Sequence, residues 1–352
     1  MSRFLVLAVC CALLAVPSAL AAKIGDPGRS RGPSGSAPTS WADAHIRYVV
    51  AHGLMAKTVG RFRAGDTLTQ GELATLVSGL TKQPAAATAN PSALVTVAQL
   101  DARLVRSLRL SEAATAFIDG ARAAGLTVPS RFGTESVARL LGLRTDHPLK
   151  QDNLELLPSD PVTRAETAYS VAKILRFKGW EQQYALDAAS GFTLPQLGSW
   201  PKRVLNTAVK FIGFPYVWGG TSELAEAPLG VSAPGGFDCS GFVWRVYKLQ
   251  AYPGGAPLAA AIKGRTTYQM SGEVPKGKRI TFAKLSPGDL LFFGPNGPRS
   301  SSRSIGHTGI YLGVGWMIHA SGQGVAVSPL TGWYRQQFAW GRRPLAEAGL
   351  AG

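Results

Sequence analysis

Residues 235–250 read GGFDCSGFVWRVYKLQ, and the reading of this stretch decides what the second half of the chain becomes. After two glycines and an acid comes Cys239, and then Phe242, Val243, Val246 and Tyr247 recur at helical spacing. Cys239 therefore opens a helix expected to run to about Leu249. A helix start carries partial positive charge and unpaired N–H groups. A thiolate is stabilised there, and an oxyanion beside it finds donors. Upstream, PKRVLNTAVKFIG (201–213) predicts a helix with Pro201 in its first turn and Val204, Ala208 and Ile212 on one face. FPYVWGGTS (214–222) breaks it. Downstream, PGDLLFFG (287–294), HTGIYLG (307–313), GWMIHA (315–320), GVAVSPL (324–330) and QFAWG (337–341) read as short strands divided by glycines. Helices followed by an antiparallel sheet make an α+β domain.

The chain begins MSRFLVLAVCCALLAVPSALAAK. Arg3, the apolar run Phe4 to Val16 and the Ala19-Leu20-Ala21 site have the pattern of an export leader, with cleavage expected after Ala21. The apolar run is shorter than the roughly 18–20 residues a membrane span needs. No integral span is therefore expected in the mature chain, and the protein is expected to be secreted. Cleavage removes Cys10 and Cys11, so Cys239 is left without a disulfide partner. A lone thiol in an exported protein is either reactive or simply buried, and its neighbours must decide.

A cysteine nucleophile needs a base. Of the five histidines, His45, His52 and His147 lie in the helical first half, where His45 and His52 read as surface or partly packed residues. His307 and His319 lie on consecutive predicted strands. A three-residue turn centred on Gly313 would set them directly opposite, with Cβ atoms roughly 5 Å apart. One could then activate Cys239 and the other orient the first. A Cys/His/His zinc site is the competing chemistry, but no HExxH or paired-cysteine pattern accompanies it. Neither a metal nor any other cofactor is expected.

The first half is organised differently. Residues 24–40 are rich in Gly, Pro and Ser and read as a linker. From Trp41 onward, LTQGELATLV (from Leu68), VTVAQLDARLV (from Val95) and VTRAETAYSVAKIL (from Val162) repeat one pattern. An apolar residue and a threonine precede Glu or Gln three places on, which suits a capping box at Thr69/Glu72, Thr96/Gln99 and Thr163/Glu166. Small helical repeats of this kind share a core. The formal charge is +16, and from Pro201 onward 16 Lys and Arg face 6 Asp and Glu. That balance attracts polyanions, but export argues against nucleic acid and in favour of anionic wall polymers, glycans or acidic lipid surfaces. No basic run with interleaved aromatics marks a nucleic-acid groove.

Two resemblances follow from these motifs. WADAHIRYVVAHGL, FRAGDTLTQGEL and above all Val162-Thr163-Arg164-Ala165-Glu166 resemble S-layer homology repeats, which implies an anionic secondary wall polymer as partner and Arg164 as the residue to bind it. FPYVWGGTS, GFDCSGFVWRVY, SPGDLLFF and GHTGIYLGVGWMIHA together resemble the NlpC/P60 cysteine peptidases. That resemblance implies a papain-like α+β fold and cleavage of amide bonds in peptidoglycan stem peptides, often between D-glutamate and the diamino acid. It assigns Cys239 as nucleophile, His307 as base, His319 as the third polar residue and Tyr216 as an oxyanion stabiliser. Asp238 and Ser240 would contact the peptide end of the substrate, and Arg265 is a further basic contact. The segment Glu223 to Gly236 is longer than the family's usual link, so it leaves substrate preference open. The expected organisation is a signal peptide (1–21), a linker (22–40), S-layer-homology-like helical repeats (41–182), a second linker (183–200) and the peptidase domain (201–345). The alternative function is a wall-binding structural protein with an accessory or inactive second domain.

Overall fold

The computed structural model describes residues 40–350. The expected leader, and the first linker up to residue 39, lie outside them. No helix among the described residues is long and apolar enough to cross a membrane.

The first half is helical: α1 Asp43–Ala51, α2 Gln70–Thr81, α3 Val97–Ser107, α4 Ser111–Ala123, α5 Phe132–Leu140, α6 Arg164–Ile174 and α7 Trp180–Ser190. The three repeated segments close a ring. The N–H of Leu68 donates to the carbonyl of Val162 (2.9 Å), that of Val162 to Val95 (2.8 Å), and that of Val95 to Leu68 (2.9 Å). All three side chains are fully buried. The free N–H groups of each helix start are satisfied in the opposite cyclic order. Gln70 and Gly71 donate to Ala93 and Pro91, Val97 and Ala98 to Asp160 and Pro158, and Arg164 and Ala165 to Asp66 and Ala64. The arrangement is a pseudo-threefold knot of helix N-termini.

The expected capping boxes form at Thr69/Glu72 and Thr96/Gln99. At α6 only half forms: Thr163 caps the N–H of Glu166 at 3.1 Å. The Glu166 carboxylate turns instead to His147 Nε2 (2.8 Å) and Arg144 (3.7 Å). Arg164, expected to meet polymer, is only 4% exposed. Its guanidinium bonds Glu72 Oε1 and the carbonyls of Met55 and Phe62 at 2.6, 2.6 and 2.8 Å. With Nε, Nη1 and Nη2 all engaged, it locks α6 to the first repeat and has no free fork to offer a polyanion.

The expected linker 183–200 is also not a linker in the structure. Its first eight residues complete α7, and Phe192 behind them is buried against Phe117 and Trp316, with ring centroids 4.8 and 4.9 Å apart. Helix α8, Ser199–Lys210, follows after the non-helical residues 191–198. One continuous apolar core runs from Ala42 to Leu345 and joins the helical half to the rest.

In the second half a short ribbon pairs β1 (Thr221–Ser222) with β2 (Gly236–Phe237). Helix α9, Cys239–Trp244, continues as a π-helical turn through Leu249. Short helices α10 (Ala256–Ala261) and α11 (Thr267–Gly272) fill the loop-rich stretch before the sheet. Strands β3 (Leu290–Phe293), β4 (His307–Gly313), β5 (Trp316–Ser321), β6 (Gly324–Pro329) and β7 (Phe338–Arg342) form one antiparallel sheet in the order β6-β5-β4-β3-β7. Between β6 and β7 lies α12 (Gly332–Gln337). Alternate strand residues face opposite sides. Leu290, Phe292, Ile310 and Ile318 join the large core, on which α9 packs. Leu291, Phe293, Tyr311 and Met317 build a second small core with Tyr334 of α12. The whole is α+β: helices first, then the sheet.

Candidate active site

The β4–β5 hairpin sets the geometry of the two histidines. Its turn is the two residues Val314 and Gly315, both at positive φ (44° and 76°), preceded by an irregularity between Tyr311 and Gly313. A turn of this kind suits the twist of a hairpin. The pairing is therefore Ile310 with Ile318, not the register of a hairpin centred on Gly313, and it carries Gly309, rather than His307, opposite His319. The histidines are diagonal neighbours on one face. They still meet: His307 Nε2 and His319 Nδ1 are 2.9 Å apart, and the rings stand nearly perpendicular at 84°.

Gly309 makes this possible. A Cβ there would lie 3.0 Å from the His319 Cβ and 3.2 Å from the Met317 Sδ, so only glycine leaves His319 room to lean across to His307. Gly309→Ala should therefore displace His319 and lower activity about 10- to 100-fold. The check is the turnover number of the variant beside its thermal unfolding, which should move little.

On the other side of β4, Cys239 starts α9 and is 8% exposed. The backbone N–H groups of Thr308, the residue after His307, and of Ser240 act on its thiol, favouring the thiolate. With Nε2 of His307 committed to His319, Nδ1 is the nitrogen left to exchange a proton with the thiol. Burial, and then the charge of Asp238, push the thiol up to about 12. Burial pulls His307 down to about 4, and burial together with His307 holds His319 well below the usual imidazole value. The directions favour a protonated thiol and a neutral imidazole, so neither group rests charged.

The sign for His307 follows from its lowered value. The folded state prefers the neutral ring, so between pH 6.5 and 4 the unfolded chain binds the extra proton and stability falls as pH falls. Hydrolysis should likewise persist below pH 6.5 and be lost only near pH 4, measured as kcat/KM on a soluble substrate. An acid limb at the ordinary histidine value would contradict the buried neutral ring.

Asp238 caps α9 by accepting the N–H of Gly241, and it also accepts from Gly219 N (3.0 Å) and Ser240 Oγ (3.0 Å). Arg265 grips both its oxygens at 3.1 Å, Ser240 Oγ at 2.7 Å and the Gly219 carbonyl at 3.0 Å. Asp238, Ser240 and Arg265 thus form one network that fixes the first turn of α9 against the 219–220 loop. Gly241 is required by the same closeness, since a Cβ would strike the Gly220 carbonyl. Tyr216 lies beside the thiol. Its phenol is held well above its ordinary value by burial and by Cys239, Asp238 and Asp146, so it is an O–H donor at any working pH. The insertion 223–236 is fastened by Glu223 to Arg245 (2.6 and 2.7 Å) and leaves Leu224 and Leu229 exposed near Trp218.

Three participants are absent from the sequence reading. Ser328 on β6 places its Oγ 3.0 Å from His319 Nε2. Its signal needs the β5–β6 register, in which Ala326 pairs with His319 and Ser328 lies two residues along on the same face. Asp146 and Asp152 of the helical half reach this region too. Asp146 acts on Tyr216 and lies by Gly322 of the β5–β6 turn, and Asp152 senses the backbone of Trp218. Asp146 is pushed up to about 8 by burial and then by Glu155 and Asp152. His147, which the sequence places only in the helical half, is buried between Glu155 (2.7 Å) and Glu166 (2.8 Å) and raised to about 10 by those carboxylates against the opposing effect of burial. Among the described residues no group of three or more His, Cys, Asp or Glu side chains is placed to hold a metal ion.

Residues 213–343 match the family described as the NlpC/P60 family, and this part of the chain is an NlpC/P60 family domain. The chain is 30% identical over 128 residues to the gamma-D-glutamyl-L-lysine dipeptidyl-peptidase of Bacillus subtilis, a match covering 36% of this chain and 34% of that protein. The protein of the same name from Bacillus cereus is 32% identical over 146 residues, covering 40% and 36%. The chain thus spans about a third of the length of these curated relatives. The crystal structure of an NlpC/P60 family protein from Bacillus cereus aligns at 29% identity over 42% of this chain and 41% of that chain, with a TM-score of 0.32.

Proposed function

We propose that this protein is an exported, wall-associated cysteine endopeptidase that cuts an amide bond in peptidoglycan stem peptides. The observation that carries the reading is the hydrogen-bonded His307–His319 pair, set beside the residue that opens α9. Cys239 attacks the amide carbonyl while His307 Nδ1 takes the thiol proton. The oxyanion is received by the Tyr216 hydroxyl and the free N–H groups at the start of α9. His307 returns the proton to the leaving amine, and water, activated by the same ring, releases the acyl-enzyme. The bond between D-glutamate and the diamino acid is the assigned target, supported by the names of the two Bacillus relatives. The leader pattern of residues 1–21 supports export.

The helical half is assigned to an anionic wall polymer. What supports this is the pseudo-threefold knot of apolar-Thr segments and a groove of about 520 Å³ between α1, α2 and the start of α6, with Leu54, Leu68, Glu72 and Arg164 among its lining residues. Arg164 shapes that groove through Glu72.

The test is incubation of the purified full chain with isolated sacculi and with defined stem peptides, reading new amino groups and fragment masses. New D-glutamate carboxyl termini support the reading. Cosedimentation with walls and no new amine from any substrate would overturn it in favour of a wall-binding protein.

A further inference from the structure

We propose that Ser328 is a positioning residue for the peptidase reaction, fixing the tautomers of His319 and, through it, of His307. The inference rests on the peptidase reading of Cys239 and His307 and adds a fourth group to it. Two contacts join the three residues in series, with His307 Nε2 2.9 Å from His319 Nδ1 and His319 Nε2 3.0 Å from Ser328 Oγ.

In a neutral imidazole one ring nitrogen donates and the other accepts, so each bond in the line dictates the next. For His307 to take the thiol proton on Nδ1, its own proton must sit on Nε2. Nε2–H then donates to His319 Nδ1, which must be bare, so the proton of His319 sits on Nε2. That donor is fully buried and needs an acceptor, and Ser328 Oγ stands there. The same direction serves after proton transfer, when His307 carries protons on both nitrogens and still donates to His319. One proton moves, from Cys239 Sγ to His307 Nδ1, and none passes beyond it.

Without the hydroxyl, Nε2–H of the fully buried His319 loses the one side-chain acceptor beside it. The cheaper tautomer moves that proton to Nδ1, where it donates to His307 Nε2. The proton of His307 is then driven onto Nδ1, facing the thiol, and the base is blocked. The groups around the rings leave Ser328 without a substitute. From α12 Tyr334 stands 5.2 and 6.0 Å from the two ring centroids. From α9 and the loops beside it come Cys239, with Asp238, Arg265, Tyr216 and Asp146 behind it. No carboxylate among the described residues hydrogen-bonds either imidazole.

The experiment uses the full chain and two readouts that need no peptidoglycan. The first is the rate of Cys239 alkylation by iodoacetamide across pH 4–9. The second is the ring ¹⁵N spectrum of His319, which reports which nitrogen is protonated. The parent should show His319 protonated on Nε2. Ser328→Ala should alkylate about 10- to 100-fold more slowly at neutral pH, with its His319 proton on Nδ1. Ser328→Thr, which keeps the hydroxyl on a strand position, should stay within roughly threefold of the parent. The proposal is overturned by a parent protonated on Nδ1, by Ser328→Ala with an unchanged rate and tautomer, or by Ser328→Thr falling as far as the alanine variant. If Ser328→Ala fails to fold, the parent spectrum and the threonine variant still decide. A parent that cuts no stem peptide would count against the proposed function and leave both readouts standing, so the two failures are distinguishable.

Discussion

Cys239→Ala releases no new amino groups from sacculi or stem peptides, a loss expected to be roughly 10⁴-fold or more in turnover. Removing the sulfur removes the only atom of the site that can form the acyl-enzyme, and no neighbouring group can replace it. Ser240 is spent on Asp238 and Arg265. The Tyr216 phenol stays protonated. The substitution takes little from the fold, because Asp238 rather than the thiol caps α9. Thermal unfolding should therefore move by no more than the effect of about 1 kcal/mol. Retained turnover in a folded Cys239→Ala protein would sink the cysteine mechanism. Loss of turnover together with collapse of the fold would show only that the thiol packs, and its 8% exposure makes the distinction worth measuring.

Arg139→Ala should cost roughly 3–5 kcal/mol of stability, the largest effect expected away from the site. Arg139 sits on α5 in the helical half, and its guanidinium works on both sides of the seam. It pairs with the fully buried Glu135 at 2.9 Å and donates to the carbonyls of Gln323 (2.6 Å) and Gly213 (2.8 Å). Burial already raises the Glu135 carboxyl against the pull of Arg139, so removing the cation strands a charge with no water to receive it. The two carbonyls matter for activity. Gly213 opens the turn that carries Tyr216, and Gln323 lies in the β5–β6 turn between the strands of His319 and Ser328. Turnover should fall with stability. Replacing Glu135 and Arg139 together by Gln and Met should restore much of the stability, because the uncompensated charge is gone. Chemical denaturation followed by intrinsic fluorescence measures both. A single transition that shifts in Arg139→Ala means the halves unfold together. Two transitions, with the second untouched, would mean the second half stands alone. The shared core and the Phe117–Phe192–Trp316 contacts favour the first result. A fragment cut at residue 200 would uncover that seam and is a poor vehicle for testing the domain.

Much of the site was legible because it is written within single elements. The helical spacing after Cys239, the period-two strands and the threonine caps each depend on residues a few places apart. The α+β class and the candidates Cys239, His307 and His319 came from those local patterns. The assignments that changed involve partners distant in the chain. Arg164 looked like an available cation in its own helix, yet its partners Met55, Phe62 and Glu72 come from the first repeat. Residues 183–200 looked like a linker by composition, yet Phe192 fills a gap lined from α4, α5 and β5.

What the sequence alone determined was which residues could share a face. Tertiary structure decided which of them touch. The one-residue irregularity in β4 and the two-residue turn at Val314–Gly315 move the pairing so that Gly309, not His307, faces His319. Local periodicity does not specify that offset, because neighbouring registers preserve the same alternation of sides. It is chosen by the packing of β4 and β5 against α9, β3 and β6 together. The β5–β6 register brought Ser328 onto His319, and the packing of the helical half set Asp146 and Asp152 by Tyr216 and Trp218.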